Sequence, residues 1–233
     1  MSETFYLETL YPLQDSVLHV IDSAGSDFYL TGDTALSRCY LQHRYSDDLD
    51  FFVNDLPAFQ EQALRVQKKL DEHFFVEVQR TGERFRRLVL FPKGWNLSRK
   101  GEPRGVKEAE LKVEFINDVP FHFGDIKPQK HYSKFDTPLN ILSNKITAIV
   151  DRDEAKDFAD IFAIAEYLKD VDWKSLFVSA SSKSAGIFAP LVAERIDRSA
   201  FDRLSQIKWN AQYNWKQLTA VQQNIVRTIV GLE

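Results

Sequence analysis

Hydrophobic and polar positions follow two different periods along this chain. Up to about residue 125, short β-rich runs alternate with turn residues: DFYLTG, DLDFFVN, HFFVEVQ, FRRLVLFP and AELKVEFI. A helical stretch at 58–72 interrupts them, with Phe59, Ala63, Val66 and Leu70 spaced to share one face. These patterns predict a sheet crossed by few helices in the first half of the chain.

The second half has a helical period. Thr137 and Pro138 suit a helix start, as capping residue and first-turn residue. The helical runs that follow are roughly 138–150, 154–169, 172–182, 187–196, 199–207 and 211–230. We therefore predict an α+β fold with two domains, a sheet-containing domain over 1–125 and a helical domain over 126–233.

Composition narrows the class of protein. The 233 residues are 44% hydrophobic and 27% charged, which is typical of a globular chain. The single cysteine, Cys39, excludes an internal disulfide framework and suits a reducing compartment. Apolar runs stay shorter than a membrane span, and the N-terminus lacks a basic stretch followed by an apolar core. We expect a cytoplasmic protein without a membrane partner.

The net charge of −4 hides a basic segment. Ten Lys or Arg and four Glu lie between residues 80 and 112, a stretch that includes the loop LFPKGWNLSRKGEPRG. Long cationic side chains on a solvated hairpin would produce such a run. A positive wall facing a triphosphate or an RNA backbone would also produce it. The run by itself leaves both interpretations open.

Two acids lie inside the most hydrophobic local run, DLDFFV. Period-two alternation places Asp48 and Asp50 on one strand face, with Leu49 and Phe51 on the other. Two carboxylates on one face of a buried strand repel each other unless a cation lies between them. Mg²⁺ binds oxygen ligands and also grips phosphates, so the pair predicts a magnesium site. An exposed edge strand is the structural alternative, but DLDFFV is typical of a central strand.

A turn upstream of this strand adds to the metal interpretation. FYLTGDTALS predicts a strand, a tight turn at Gly32, and a helix through Ala35 and Leu36. A glycine turn followed by a helix N-terminus is a favourable place for a phosphate. The order is thus a phosphate-holding turn, a helix, and a strand that carries paired acids.

The stretch LTGDTALSRCYLQHRYSDDLDFFV resembles the first motif of the AbiEii/AbiGii-type nucleotidyltransferases. These are polymerase-beta-like enzymes, and many are toxins of bacterial toxin–antitoxin systems. The matching positions are Gly32, Thr34, Ala35, Leu36, His43, Arg44, Ser46, Asp48, Leu49, Asp50 and Phe51. Asp33 departs from the pattern, because the family usually has a second glycine there. The resemblance implies that Gly32, Asp33, Thr34, Arg44 and Ser46 belong to a nucleotide site.

Later segments extend the resemblance to about residue 168. ELKVEFIND offers Glu114 as the family's third metal-binding acid, although Lys112 could instead be a simple charge partner of Glu114. NKITAIVDRDEAKDFAD resembles the late motif, with Lys145, Arg152, Lys156, Asp157 and Asp160 in its positions. The resemblance implies that Lys145 contacts nucleotide phosphates and that Asp157 and Asp160 also belong to the nucleotide site. Asp157 and Asp160 lie three residues apart, so they could also bridge to Lys145 or Arg152 and brace the helices.

The resemblance implies a Mg²⁺-dependent nucleotidyltransferase. Asp48, Asp50 and Glu114 would hold two Mg²⁺ ions, and Asp48, Asp50, Glu114 and Lys145 would be the catalytic residues. The chain would move a nucleoside monophosphate from an NTP to a hydroxyl of RNA, with tRNA as one candidate, and a cognate antitoxin would be a partner. Two alternatives remain: a catalytically weak nucleotide-binding protein, supported by Asp33, and a module whose main task is binding an antitoxin or another partner.

Three further expectations concern single residues. The run FHF at 121–123 is assigned to a strand with an exposed imidazole at His122. Trp173, Trp209 and Trp215 are assigned to the helical core. Trp95, in the basic loop, is assigned to a hydrophobic contact, with base stacking as the alternative.

Overall fold

A computed structural model describes residues 2–93, 110–199 and 201–231 of the chain. Contacts divide the chain into two compact units that interleave in sequence. The first unit comprises Met1–Thr34, Asp47–Pro120 and Lys127–Phe135. The second comprises Ala35–Ser46, Phe121–Ile126 and Asp136–Glu233. The predicted basic loop and Trp95 lie largely or wholly outside the described residues.

A mixed seven-stranded sheet forms the centre of the first unit. Its strands are β1 (Tyr29–Thr31), β2 (Leu49–Asn54), β3 (Phe74–Gly82), β4 (Phe85–Pro92), β5 (Leu111–Asp118), β6 (Lys127–Gln129) and β7 (Tyr132–Phe135). Their order in the sheet is β3-β4-β5-β2-β1-β7-β6. Strands β2 and β5 are parallel, as are β1 and β7, and the other neighbours are antiparallel.

Helices occur before the first strand, between strands, and after the last strand of the sequence. They are α1 (Glu3–Phe5), α2 (Tyr11–Ser23), α3 (Gly32–Ala35), α4 (Phe59–His73), α5 (Pro138–Asp151), α6 (Ala155–Leu168), α7 (Trp173–Lys183), α8 (Ala189–Asp197), α9 (Phe201–Leu204) and α10 (Leu218–Val230). Wider π-helical turns follow α1 at Tyr6–Leu10 and α3 at Leu36–Tyr40, and a 3₁₀ turn at Trp215–Gln217 precedes α10. The predicted mixed α and β fold is confirmed.

Strand β2 is central, as its sequence predicted. It lies between β5 and β1, and Leu49, Phe51 and Val53 are buried while the residues between them are partly exposed. Phe51 stacks on Phe115 of β5 with ring centroids 5.4 Å apart. This apolar pair fixes β2 against β5, and the acids of both strands consequently face the opposite side.

The helical predictions are confirmed for the principal elements. Phe59, Ala63, Val66 and Leu70 of α4 are all buried. Helix α5 begins at Pro138, and the Thr137 hydroxyl accepts the Asn140 N–H at 3.2 Å as an N-cap. The predicted helix at 199–207 is shorter in the structure, and the run at 211–230 is a 3₁₀ turn followed by α10.

Sequence patterns missed three elements of the first unit. Helix α2 buries Leu13, Val17, Leu18 and Ile21 at helical spacing, a pattern that the sequence does contain. The short strands β6 and β7 follow residue 126, so the sheet continues past the predicted boundary at 125. β7 pairs with β1 through Leu30 and Phe135, a long-range pairing that local patterns do not predict.

The expectation for FHF was wrong. Residues 121–126 form a loop, and His122 Nε2 lies 2.9 Å from the buried Asp136 carboxylate. Asp136 Oδ1 also accepts the Thr137 N–H at 2.7 Å, and Asn140 donates to both Asp136 oxygens. The imidazole is therefore held at the start of α5. Among the described residues, none of the helices has the length and apolar character needed to cross a membrane.

Candidate active site

Three acids come together on one face of the sheet. Asp50 lies directly opposite Glu114 in the parallel pairing of β2 with β5. Asp48 precedes β2 by one residue and, two positions from Asp50, projects toward the same face. The opposite face carries the fully buried side chains of Leu49 and Val113. The predicted acid face thus consists of Asp48, Asp50 and Glu114, and we use that name for these three residues.

Two cations accompany the acid face. Lys112 Nζ lies 2.5 Å from Asp48 Oδ2 and 3.6 Å from Glu114 Oε1. Lys112 is therefore a charge partner mainly of Asp48, and less closely of Glu114. Arg87, opposite Glu114 in the β4–β5 register, donates from Nε to Glu114 Oε1 at 2.7 Å. Sequence reasoning missed Arg87, because only the strand register brings it to Glu114.

Asp50 has the most perturbed ionisation in this group. Burial is the main cause that raises its pKa, and the negative charges of Asp33, Glu114 and Asp48 add to the rise. Lys112 opposes them, and the net result is a pKa raised from 3.8 to about 7. The carboxylate form of Asp50 is therefore disfavoured unless a further positive charge lies beside it.

Gly32 is required by the position of Asp50. Its φ is +66°, in the left-handed region that favours glycine. A Cβ atom at position 32 would lie 3.1 Å from Asp50 Oδ2, closer than nearly all real Cβ contacts. The glycine of the predicted turn thus allows the backbone to approach an acid of the acid face.

Neighbouring residues hold the start of β2 in place. The Thr34 hydroxyl donates to the Asp48 carbonyl, and Thr34 is almost fully buried. Asp47, which carried no assignment from the sequence, accepts the Tyr6 hydroxyl at 2.6 Å. These two bonds attach the acid-bearing strand to the turn and to the N-terminal helical segment.

Asp160 is the centre of a buried ionic network in the second unit. Arg44 binds it with two bonds of 2.7 Å, from Nε to Oδ1 and from Nη2 to Oδ2. His43 Nε2 lies 2.9 Å from Oδ1, and Lys145 Nζ lies 2.7 Å from Oδ2. A fully buried carboxylate is stable only when such partners replace its lost hydration.

Asp157 extends this network. Its carboxylate accepts Lys145 Nζ at 2.7 Å and Arg152 Nε at 2.7 Å. The predicted bridge from the two Asp of α6 to Lys145 of α5 and to Arg152 is therefore present. Arg152 also pairs with Glu154 at 3.7 Å, so the three cations of the network face three acids. Lys145 is 6% exposed in its side chain, whereas Arg152 is 49% exposed.

The predicted nucleotide-site residues fall into two groups. Gly32, Asp33, Thr34, Asp48, Asp50 and Glu114 belong to the first unit, and Arg44, Ser46, Lys145, Asp157 and Asp160 belong to the second. Ser46 is buried, and Lys156, another late-motif position, pairs with Glu154 at 3.5 Å. His43 is a residue that the motif contains but for which the sequence suggested no role.

A match to a family model identifies the family to which the chain belongs. The model described as nucleotidyl transferase AbiEii toxin, type IV toxin–antitoxin system, matches residues 19–214. The chain belongs to the AbiEii nucleotidyltransferase toxin family. The match extends beyond the 28–168 resemblance in both directions, and this AbiEii protein is accordingly a nucleotidyltransferase. None of the curated proteins matches it.

Two solved structures of similar fold cover nearly all of this chain. JHP933 from Helicobacter pylori has a TM-score of 0.59 at 18% identity and covers 100% of this AbiEii chain and 96% of its own. MenT4, a nucleotidyltransferase toxin from Mycobacterium tuberculosis H37Rv, has a TM-score of 0.62 at 20% identity. That match covers 96% of this chain and 84% of MenT4. At these identities the likeness concerns the fold.

The acid face has the donor chemistry that a divalent metal ion requires. Nucleotidyltransferases generally use such an ion, and Mg²⁺ takes carboxylate oxygens as ligands. Burial and the charges of Asp33, Glu114 and Asp48 raise the pKa of Asp50 despite Lys112, so its carboxylate form requires further positive charge. A hard divalent cation would supply that charge, so the residues fit a metal of this kind.

Proposed function

We propose that this protein transfers a nucleoside monophosphate from an NTP to a hydroxyl group of RNA in a Mg²⁺-dependent reaction. The observation that carries the proposal is the acid face itself: three carboxylates on adjacent strands, with the pKa of Asp50 raised to about 7. Three neighbouring acids on a strand face are unfavourable because of their mutual repulsion and partial burial, and packing of the sheet does not require them. A site for a cation and a phosphate does.

Asp48, Asp50 and Glu114 are the proposed metal ligands. Two bound Mg²⁺ ions would supply positive charge to the reacting phosphate and lower the pKa of the attacking hydroxyl. Arg87 and Lys112 pair with Glu114 and Asp48, so a metal ion would compete with these two cations for the carboxylates. Glu114 is also the proposed acceptor for the proton of the attacking hydroxyl.

The turn at Gly32 is the proposed approach for the triphosphate. Glycine leaves the backbone N–H groups of the turn accessible, and Asp33 and Thr34 follow it at the start of α3. Asp33 contributes to the raised pKa of Asp50, so this acid strengthens the demand for a metal ion there. The same acid that made the sequence atypical therefore supports metal binding.

The network of the second unit contains further residues that we propose for nucleotide binding. Lys145 and Arg44 carry positive charge that suits the phosphates of an NTP, and both occupy the family's motif positions. We propose that Lys145 contacts the phosphates while Asp157 and Asp160 orient it. Membership of a toxin–antitoxin family further leads us to propose a cognate antitoxin as partner.

The test is a transfer assay with NTPs labelled in two positions. Total RNA is incubated with Mg²⁺ and each NTP, labelled at the α- or the γ-phosphate. Nucleotidyl transfer places the α-label in RNA and releases the γ-label, whereas phosphoryl transfer does the reverse. Asp50→Asn should abolish the α-label signal. The matched control is Asp55→Asn, an exposed acid just after β2 that pairs with Arg84. Label incorporation by Asp50→Asn at the rate of Asp55→Asn would refute the proposal.

A further inference from the structure

Three aromatic rings of the second unit stack on one another in the segment IKWNAQYNWKQ, residues 207–217. Trp209 and Tyr213 have ring centroids 5.6 Å apart and planes inclined by 17°. Trp209 and Trp215 are 5.9 Å apart and inclined by 5°. We call these three residues the aromatic stack. Trp173 is buried as predicted, but both tryptophans of the stack are partly exposed, so their assignment to the core was wrong.

The aromatic stack is fixed by hydrogen bonds. Trp209 Nε1 donates to the Leu204 carbonyl at 2.8 Å, and the Tyr213 hydroxyl lies 3.1 Å from Glu166 Oε2. The indole N–H of Trp209 and the hydroxyl of Tyr213 are thus satisfied, and all three residues of the stack are partly exposed. Rings that are immobilised in advance lose little entropy when a flat ligand stacks on them.

The stack also contacts the family's first motif. Asn210 N–H donates to the His43 carbonyl at 2.8 Å, and Trp209 forms a β-bridge with Arg44. The His43 ring packs edge-on against Trp209 and Tyr213, with centroid distances of 6.2 and 5.8 Å. His43 and Arg44 both bind Asp160. The aromatic stack is therefore adjacent to the ionic network proposed for the nucleotide, within the same unit.

The segment that carries the stack is basic in sequence, and it contacts an acid, Glu166 of α6, which accepts the Tyr213 hydroxyl and Gln217 Nε2. The sequence from 203 to 232 contains Arg203, Lys208, Lys216 and Arg227 but neither Asp nor Glu. Lys208 and Lys216 are exposed and directly precede or follow a tryptophan of the stack. Asn and Gln occupy positions 206, 210, 212, 214 and 217. Partly exposed aromatic rings between cations and amides are the chemistry with which proteins bind single-stranded nucleic acid.

We propose that Trp209, Tyr213 and Trp215 form a stacking platform for bases of single-stranded RNA, with Lys208 and Lys216 contacting its phosphates. The inference rests on the proposed function and deepens it, because it assigns a binding surface to the acceptor. Packing that merely closes the helical unit would explain the ring contacts. It would not explain why the rings stay partly exposed within a stretch that excludes acids.

Binding to two oligonucleotides separates stacking from charge. Fluorescence anisotropy is measured with a labelled 12-nucleotide oligo(rU) and with an abasic oligomer of equal length, without NTP or divalent ion. Trp215→Leu should weaken oligo(rU) binding about 5- to 100-fold, the range for one lost base–aromatic stack. Binding of the abasic oligomer should stay unchanged, and Trp215→Phe should recover most of the affinity. The control is Phe188→Leu, which removes an exposed aromatic ring elsewhere in the same unit.

The lysines have a different expected effect. Lys208→Gln combined with Lys216→Gln should weaken binding of both oligomers alike and reduce the slope of log affinity against log salt by about 1.4. Equal losses on oligo(rU) and the abasic oligomer with Trp215→Leu, or no loss on either, would overturn the platform. A Trp215→Leu variant that loses NTP binding but keeps RNA affinity would also overturn it, by assigning the stack to the nucleotide base.

Failure of the proposed reaction has a separate outcome. Asp50→Asn should bind oligo(rU) like the wild type, because the platform does not involve the acid face. If RNA binding depends on Trp215 but the wild type transfers no label, the platform is supported and the transfer reaction is refuted. If transfer occurs while RNA binding ignores Trp215, the reaction is supported and the platform is refuted.

Discussion

Asp50→Asn should stabilise the metal-free protein at neutral and alkaline pH. Asn has the shape of a protonated Asp, so the variant keeps the packing of β2 and removes the charge. The folded-state pKa of Asp50 is about 7 against 3.8 as the reference value. Between these values the folded state binds the extra proton, so wild-type stability falls as pH rises from about 4 to 7. Because Asn does not titrate, the stability of the variant does not fall over this pH range.

The size of the effect follows from the shift in pKa. A rise of about three units corresponds to about 4 kcal/mol once pH exceeds both values. Because Asp50 is partly exposed, solvent screens some of this, and we expect a gain of about 2–4 kcal/mol at pH 8. For a chain of this size the melting temperature should rise by about 5–15 °C. At pH 4 the variant and the wild type should melt alike.

Calorimetry in chelator-treated buffer is the suitable assay. Three of the four tryptophans, Trp173, Trp209 and Trp215, belong to the second unit, and calorimetry does not depend on where such a probe lies. Asp48→Asn is the matched control: it removes a nearby charge but also the 2.5 Å contact with Lys112, and should give a smaller gain or a loss. Added Mg²⁺ should narrow the gap, because it stabilises only a protein that binds it. An Asp50→Asn variant no more stable than the wild type at pH 8 would refute the reasoning.

Three further predictions address neighbouring contacts. Arg87→Gln removes a cation that competes for Glu114, so Mn²⁺ affinity by calorimetric titration should rise a fewfold; unchanged or weaker binding would contradict the pairing. Gly32→Ala should lower the free energy of unfolding in urea by about 1–2 kcal/mol, because position 32 has a positive φ. It should also lower the transfer rate by displacing Asp50, and wild-type values for both would argue against the close approach. Lys145→Met leaves the buried charges of Asp157 and Asp160 without one of their partners, so the free energy of unfolding in urea should fall by about 3–5 kcal/mol. The transfer rate per folded molecule should also fall, and full activity of the folded fraction would limit Lys145 to a structural role.

Local patterns were sufficient for much of the sheet and of the acid face. Alternation alone placed Asp48 and Asp50 on one face of a buried strand, because the side-chain period of a strand is fixed at two. Gly32 was identifiable for the same kind of reason, since a tight turn before a helix favours a positive φ. These features depend on residues close together in the sequence.

Features that depend on long-range pairing could not be predicted. The Arg87–Glu114 contact arises from the register of β4 with β5, and the bond from Arg44 to Asp160 spans 116 positions. The assignment of Trp209 and Trp215 to the helical core was wrong because both residues are partly exposed. Tryptophan is a reasonable core residue by type, but only the path of the chain determines whether its ring is covered.

Anomalous diffraction from crystals grown with Mn²⁺ and a non-hydrolysable NTP tests the metal assignment most directly. We predict an anomalous peak within coordination distance of carboxylate oxygens of Asp48, Asp50 and Glu114, with phosphate oxygens completing its shell. Crystals of Asp50→Asn should lose or greatly weaken this peak, whereas Asp55→Asn should retain it. Nucleotide bound with its metal at other residues, and no peak at the acid face, would contradict the assignment.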